Sequence, residues 1–272
     1  MDGGRHIASM KRRQLIEIHD QDWCPRAIRD GVTDFLQYAA NHWNYYAAVL
    51  PTICYFLDRL NVTRVIDLCS GGGGPWPGIC SIVAGPATGS FRITLTDKYP
   101  NSTAFRLARE RSGGLIDFRE EPLDASALPR ELCGFRTMFS SFHHFPPAEA
   151  QAILQDAVNS RQGIGIFEMT GRDAVTILRM FTSPFSVMRL AGSIRPFRWS
   201  RLILTYLIPV IPLVVLIDGI VSCLRTYTLP ELTELTRSLA GAPYDWEISE
   251  VRTPGAPFPL LYAIGWPRSP EM

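Results

Sequence analysis

An acid inside an apolar strand, followed within four positions by a glycine run, is the residue pattern in this chain whose chemistry is easiest to name. VIDLCSGGGGP, Val65 to Pro75, places Asp67 ahead of Gly71, Gly72, Gly73 and Gly74. Glycines at a strand exit permit positive φ and let backbone N–H groups approach a ligand. A second apolar run, FRITLTD, ends in Asp97. A carboxylate at the tip of the second strand of a βαβ unit can accept from both hydroxyls of a ribose. Together these residues point to a compound of adenosine. A nicotinamide-type GxGxxG would set a helix N-terminus against a pyrophosphate. Here the acid precedes the glycines, which run into Pro75, Trp76 and Pro77, and GxxxxGK[ST] is absent.

The segment resembles motif I of the class I S-adenosylmethionine-dependent methyltransferases. Its pattern hhDhxxGxG is matched by Val65-Ile66-Asp67-Leu68-Cys69-Ser70-Gly71-Gly72-Gly73. The resemblance implies S-adenosyl-L-methionine as cofactor. Cys69, Ser70, Gly71, Gly72 and Gly73 would hold its amino acid part, and Asp67 would orient the loop or the methionine ammonium. Asp97, with Lys98 beside it, would meet the ribose. Asp124-Ala125, ahead of Leu128-Pro129, resembles the family's third motif, in which an aspartate meets the adenine amine. Ser141 and Phe142 complete the implied cofactor set, with Phe142 and Phe145 as walls for the adenine.

The reaction at such a site is an SN2 displacement at a sulfonium methyl, in which the protein holds the acceptor in line and removes a proton where needed. FRTMFSSFHHFPP puts His143 and His144 at the carboxyl end of a fourth strand, where an imidazole could serve as general base. Adjacent side chains diverge, so one of the two at most faces the methyl. Which one is left open, as is a purely local hydrogen-bonding role. Glu168, ending the fifth strand, is the next candidate acid or base, and Asp218 with Arg225 is either a structural pair or a set of acceptor contacts. The six cysteines show no CxxC or metal spacing, so no metal is expected.

Elements must position these groups. Strand and helix signals across residues 62–170 read βαβαβαβαβ, a parallel sheet covered on both faces. YDWEISEVR and FPLLYAIGWP, joined by a Pro/Gly turn, read as an antiparallel pair, and this ending resembles the reversed seventh strand of the methyltransferase sheet. The fold class expected is α/β, a Rossmann-like, mostly parallel seven-stranded sheet with an antiparallel last strand. Residues 1–61 form a helical cap, with two helix-length segments separated by Pro51 and an aromatic stripe from which Trp43, Tyr45 or Tyr46 could face the ligand. Residues 62–170 form the cofactor-binding core, and 225–272 its carboxyl-terminal part.

Between them, 171–224 is too long for an ordinary βα connection. Its first half is rich in arginine, and Leu202 to Ile217 carries no charge but holds Pro209 and Pro212. Proline interruption argues against a span. Core packing, a lid over a lipophilic substrate and peripheral membrane contact through 195–224 remain as readings. The formal charge of +1 across 272 residues gives no reason to expect nucleic acid. The charged amino terminus and unpaired cysteines indicate a reduced, cytoplasmic protein, with the inner face of a membrane as an added location if the insertion docks there. The function expected is methyl transfer to an oxygen of a lipophilic small molecule, such as a natural product. The alternatives are a nicotinamide-dependent oxidoreductase and a catalytically inactive, cofactor-binding regulatory protein. Oligomeric state is not legible.

Overall fold

The computed structural model describes residues 10–83, 91–252 and 259–268. The charged amino terminus and the Pro/Gly turn expected before the last strand lie outside them. The apolar runs form seven strands: β1 (Arg64–Leu68), β2 (Arg92–Leu95), β3 (Ile116–Phe118), β4 (Phe135–Phe139), β5 (Ile164–Glu168), β6 (Tyr244–Val251) and β7 (Leu260–Pro267). They make one sheet in the order β3-β2-β1-β4-β5-β7-β6. β1 to β5 are mutually parallel, and β7 runs antiparallel between β5 and β6. Every residue of β4 and β5 is buried, Arg136, Thr137 and Glu168 included, so these strands do not alternate between apolar and polar positions. The chain winds outward from β1 through β3 and then returns to β4 on the other side of β1. A crevice opens at that reversal, at the carboxyl ends of the strands.

Helices α1 (Arg26–His42) and α2 (Leu50–Arg59) form the cap, and α3 (Trp76–Val83), α4 (Ser102–Arg111) and α5 (Pro147–Asn159) connect the strands. The insertion is α6 (Ala174–Met180), α7 (Ser183–Leu190), α8 (Trp199–Leu202) with a π-type turn over Ile203–Leu207, and α9 (Val210–Arg225). The last helix, α10 (Leu229–Arg237), starts with a reciprocal cap between Thr228 and Glu231.

Three expectations need correction. No helix is assigned between β3 and β4, because Pro122, Pro129 and Gly134 punctuate a stretch that forms turns instead. Pro51 does not separate the cap helices but sits in the first turn of α2, where its missing N–H costs nothing. The insertion is interrupted at only one of its two prolines. Pro209 stops the first apolar segment, whereas Pro212 is tolerated in the first turn of α9, which continues one residue past the expected boundary to Arg225.

One face of the sheet packs Ile53, Phe56, Trp76 and Phe105 against Val65, Ile93 and Phe135, and the other packs Leu154 and Leu232 against Ile66 and Met138. A third core joins segments far apart in sequence. Val32, Phe35 and Ala39 of α1 meet Val187, Leu190, Ile211, Val214 and Val215 of the insertion. Cap and insertion are thus one helical lobe.

A buried ion pair fixes that lobe. Arg201 Nη1 lies 2.7 Å from Asp34 Oδ2, and both residues are essentially inaccessible. Arg201 Nη2 also donates to the carbonyls of Ile194 and Pro196. The other Asp34 oxygen accepts from Asn101, whose own side-chain oxygen caps the first turn of α4. Burial raises the Asp34 pKa against the lowering effect of Arg198 and Arg201. Removing one partner of such a pair leaves a charge with neither water nor counter-ion. Asp34→Ala should therefore cost about 3–5 kcal/mol in urea unfolding, while joint replacement of Asp34 and Arg201 by leucine and methionine should recover most of that loss.

Candidate active site

After β1 the backbone enters the left-handed region at Cys69 (φ 56°) and again at Gly71 (φ 56°), folding the loop back over the strand ends. Asp67 lies beneath this loop, almost wholly buried. Its Oδ2 accepts from the Ser70 hydroxyl and its Oδ1 from the Thr137 hydroxyl, each at 2.6 Å. Burial pushes its pKa up to about 6, with the Ser70 and Thr137 hydrogen bonds opposing. Of the two roles open to Asp67, holding the loop is the one its geometry fits, since it lies buried under Ser70 and off the cavity wall.

A cavity of about 590 Å³ occupies the crevice between the sheet and the helical lobe. Of the residues expected to hold the cofactor, Cys69, Ser70, Gly71, Gly72, Asp97, Lys98, Asp124, Ala125 and Ser141 line it. Asp97 accepts the Gly71 N–H at 2.7 Å on one oxygen and the Tyr99 N–H at 2.8 Å on the other, so each oxygen keeps a lone pair for a ligand. Burial raises its pKa, opposed by those two bonds. Ser141 lines the cavity, and its hydroxyl is buried with no hydrogen-bond partner among the described residues. Asp124 carries the turn after β3 through bonds from the Ser126 N–H and hydroxyl, which lower its pKa.

Gly73 and Phe142 do not line the cavity, contrary to expectation. Gly73 (φ 108°) turns toward Leu95, Pro77 and Ala108, so its constraint is conformational and internal. Phe142 is fully buried against Tyr227, and Phe145 alone of the two lies at the cavity. Gly72 has a different reason to be glycine: a Cβ there would sit 2.8 Å from the Thr33 carbonyl, where α1 packs on the loop. Trp43, Tyr45 and Tyr46 all reach the cavity, and the Tyr46 hydroxyl bonds Ser140 at 2.7 Å.

The histidines divide. His143 is held with Nδ1 2.7 Å from Glu168 Oε2 and Nε2 3.5 Å from Glu17 Oε1. Burial disfavours its imidazolium, but the two carboxylates outweigh burial and push its pKa up to about 10. A cation of that kind is no base at neutral pH. Glu168, expected as an acid or base, does not line the cavity. Its Oε1 accepts the backbone N–H groups of Phe142 and His143 and its Oε2 faces the His143 ring, because it terminates a fully buried strand. Both histidines line the cavity, but His144 differs in being partly exposed, with Nδ1 hydrogen-bonded to Asp20.

Glu17, His19 and Asp20 were not among the expected site residues, yet all three line the cavity. They belong to a strap ahead of α1 that α9 holds in place. Asp218 accepts from the Ile18 and His19 N–H groups and meets the His19 ring at 2.8 Å, while Arg225 stands 3.3 Å from Glu17. Asp218 and Arg225 are therefore not a mutual pair; each grips the strap. Burial opposes ionisation throughout. Even so, the imidazoles hold Glu17 down at about 2, and Asp218, Asp20 and Glu17 push His19 up to about 9. The signal in the sequence was EIHD itself, acids and a histidine crowded immediately before the cap. Glu17, His19, Asp20 and His144 also bring one donor atom each within 4.8 Å of one another, a set that could hold a divalent ion and that the cysteine pattern did not suggest. In this arrangement Arg225 and the protonated His19 and His143 already neutralise the carboxylates.

No protein-family profile and no curated protein sequence matches the chain. Solved structures do. An O-methyltransferase family protein from Burkholderia thailandensis superposes with a TM-score of 0.51 at 17% identity, covering 89% of this chain and 60% of that one. The plantazolicin methyltransferase BpumL, solved in complex with SAH, superposes with a TM-score of 0.50 at 10% identity, covering 93% of this chain and 95% of that one. At such identities the likeness is one of fold.

The raised histidines set a pH dependence. A group whose pKa is higher folded than unfolded contributes its full stability below the unfolded value and loses it as pH rises through the folded value. For His143 and His19 that window runs from about 6.5 to about 10. Unfolding free energy should fall across that range, and His143→Gln should flatten the profile; urea titrations at stepped pH measure both.

Proposed function

Proceeding from the Rossmann-like fold of the class I S-adenosylmethionine-dependent methyltransferases, which this chain has, we propose that it transfers a methyl group from S-adenosyl-L-methionine to an oxygen of a hydrophobic small molecule. One observation carries the reading. One cavity is lined by Gly71, Gly72, Asp97 and Asp124 along the strand ends and by the His144–Asp20 pair and Trp43, Tyr45 and Tyr46 under the cap.

The residues present fit the cofactor. The Gly71 and Gly72 backbone forms a wall without side chains, Asp97 keeps acceptor capacity on both oxygens, and Ser141, whose hydroxyl has no partner among the described residues, lines the same space. Asp97 would take the ribose hydroxyls, Asp124 the adenine amine, and the loop from Cys69 to Gly72 the amino acid part. When bound, the cofactor supplies a sulfonium methyl with a good leaving group. What remains for the protein is to hold the acceptor oxygen in line, about 3–3.5 Å from that methyl, and to receive its proton.

His144 is the residue for the proton. With Nδ1–H donated to Asp20, the lone pair lies on Nε2, and the carboxylate stabilises the imidazolium that forms. His143 and Glu168 instead hold the turn that carries His144. Val32, Phe35, Leu36, Trp43 and Met180 supply apolar lining, which suits a lipophilic acceptor.

Calorimetry with S-adenosylmethionine and its demethylated product tests the cofactor. Asp97→Ala should weaken binding by about 2 kcal/mol or more. Binding of a nicotinamide dinucleotide in place of S-adenosylmethionine would overturn the reading. With an acceptor found by screening against labelled cofactor, His144→Ala should lower turnover about 100-fold while cofactor affinity stays nearly constant. Tight cofactor binding with no transfer to any acceptor would instead mark a regulatory protein.

A further inference from the structure

Between Asp173 and Asp218 the chain has no carboxylate and five arginines. Two of these, Arg198 and Arg201, are committed to Asp30 and Asp34 inside the lobe. Arg189 and Arg195 are exposed, and among the described residues no carboxylate pairs with either. The apolar side chains of this segment do not all turn inward. Leu178, Phe181, Phe185 and Met188 follow one another at helical spacing along α6 and α7, and all are exposed, Phe185 at 74%. Trp199, Ile203, Tyr206 and Leu207 form a second exposed stripe along α8 and its π-type turn, Leu207 at 76%. The Tyr206 hydroxyl donates to the Met188 carbonyl at 2.5 Å, which joins the two stripes into one surface.

Soluble monomers rarely leave a continuous apolar surface of this kind uncovered. Its composition selects the cover. Trp and Tyr beside Phe and Leu, with arginines and no acid, match the boundary between headgroups and acyl chains. A surface that buries another protein would have no need to exclude carboxylates across the whole segment. No single helix among the described residues is long and apolar enough to cross a membrane, and the apolar pair α8–α9 is bent by 80°. That pair has the length and composition of a broken or re-entrant segment, but Ile211, Val214 and Val215 of α9 are held in the core of the lobe, so the exposed stripes would meet a bilayer from its surface.

We propose that α6, α7 and α8 form a docking face for an anionic lipid bilayer. The stripes enter the interface and Arg189 and Arg195 meet phosphate headgroups. Met180, Ser183 and Ser186 of the same helices line the cavity, so docking sets the cavity beside the lipid. The proposal does not depend on methyl transfer.

Flotation of the purified full chain with vesicles tests it, phosphatidylcholine alone against mixtures with phosphatidylglycerol, at low and high salt. The expected result is binding to the anionic vesicles at low salt, reduced about tenfold or more by high salt and by Arg189→Glu with Arg195→Glu. The triple change Leu178→Asp, Phe185→Asp and Leu207→Asp should abolish flotation while leaving cofactor affinity and cooperative unfolding intact. These positions are exposed, unlike Val214, which belongs to the core of the lobe. The proposal is overturned if the wild type never floats or if the triple variant floats as well. It is equally overturned if light scattering finds a dimer that the triple change splits while neither protein binds vesicles.

Discussion

Three carboxylates, Glu17, Glu168 and Asp218, meet where water barely reaches, with the partly exposed Asp20 beside them, and this end of the molecule is organised around keeping them there. An ion taken from water costs several kcal/mol unless counter-charges and hydrogen bonds replace what it lost. Here Arg225, His143 and His19 supply the charge and backbone N–H groups supply the bonds. Each partner comes from a different part of the chain: the strap before α1, the turn after β4, the end of β5, and α9. None can occupy its position without the others. The turn after β4 is thereby fixed with His143 buried between Glu168 and Glu17 and His144 partly exposed beside Asp20, although both line the cavity.

The same constraint explains why an insertion after β5 belongs with a cap before β1. The strap is gripped by α9, so α1 must lie against the insertion, and the apolar contacts of Phe35 and Val32 with Ile211 and Val214 follow. Asp34, Arg201 and Asn101 close the far side by tying α1, α8 and the start of α4 together. The lobe roofs the crevice at the β1–β4 reversal, with its inner wall toward the cavity and its outer wall apolar and basic.

The division of labour among acids is physical rather than positional. Asp67 lies inside β1 and Asp97 just beyond β2, and Asp67 is sealed by Ser70 and Thr137 while Asp97 bonds only two N–H groups and stays on the cavity wall. Glu168 ends a strand, but the turn after β4 lies directly over it and consumes both its oxygens.

From the sequence alone, the sheet, its parallel run, its reversed last strand and the glycine loop were determined, because buried parallel strands and tight turns impose patterns local enough to read. The motif also located one wall of the cavity, since a strand-tip carboxylate and a glycine backbone are placed by local geometry. What the tertiary structure decided depends on contacts distant in the chain. The strap EIHD has no local pattern that assigns it to a site, because its partners Asp218 and Arg225 lie some 200 residues away. The roles of His143 and His144, the sealed position of Phe142 and the inward turn of Gly73 likewise follow from which neighbours the fold brings near. The sixteen uncharged residues of the insertion could be read as core, lid or membrane face. The fold divides them, burying Ile211, Val214 and Val215 while leaving Ile203, Leu207 and Leu213 exposed, because a helix packed on one side presents its other face to whatever lies outside.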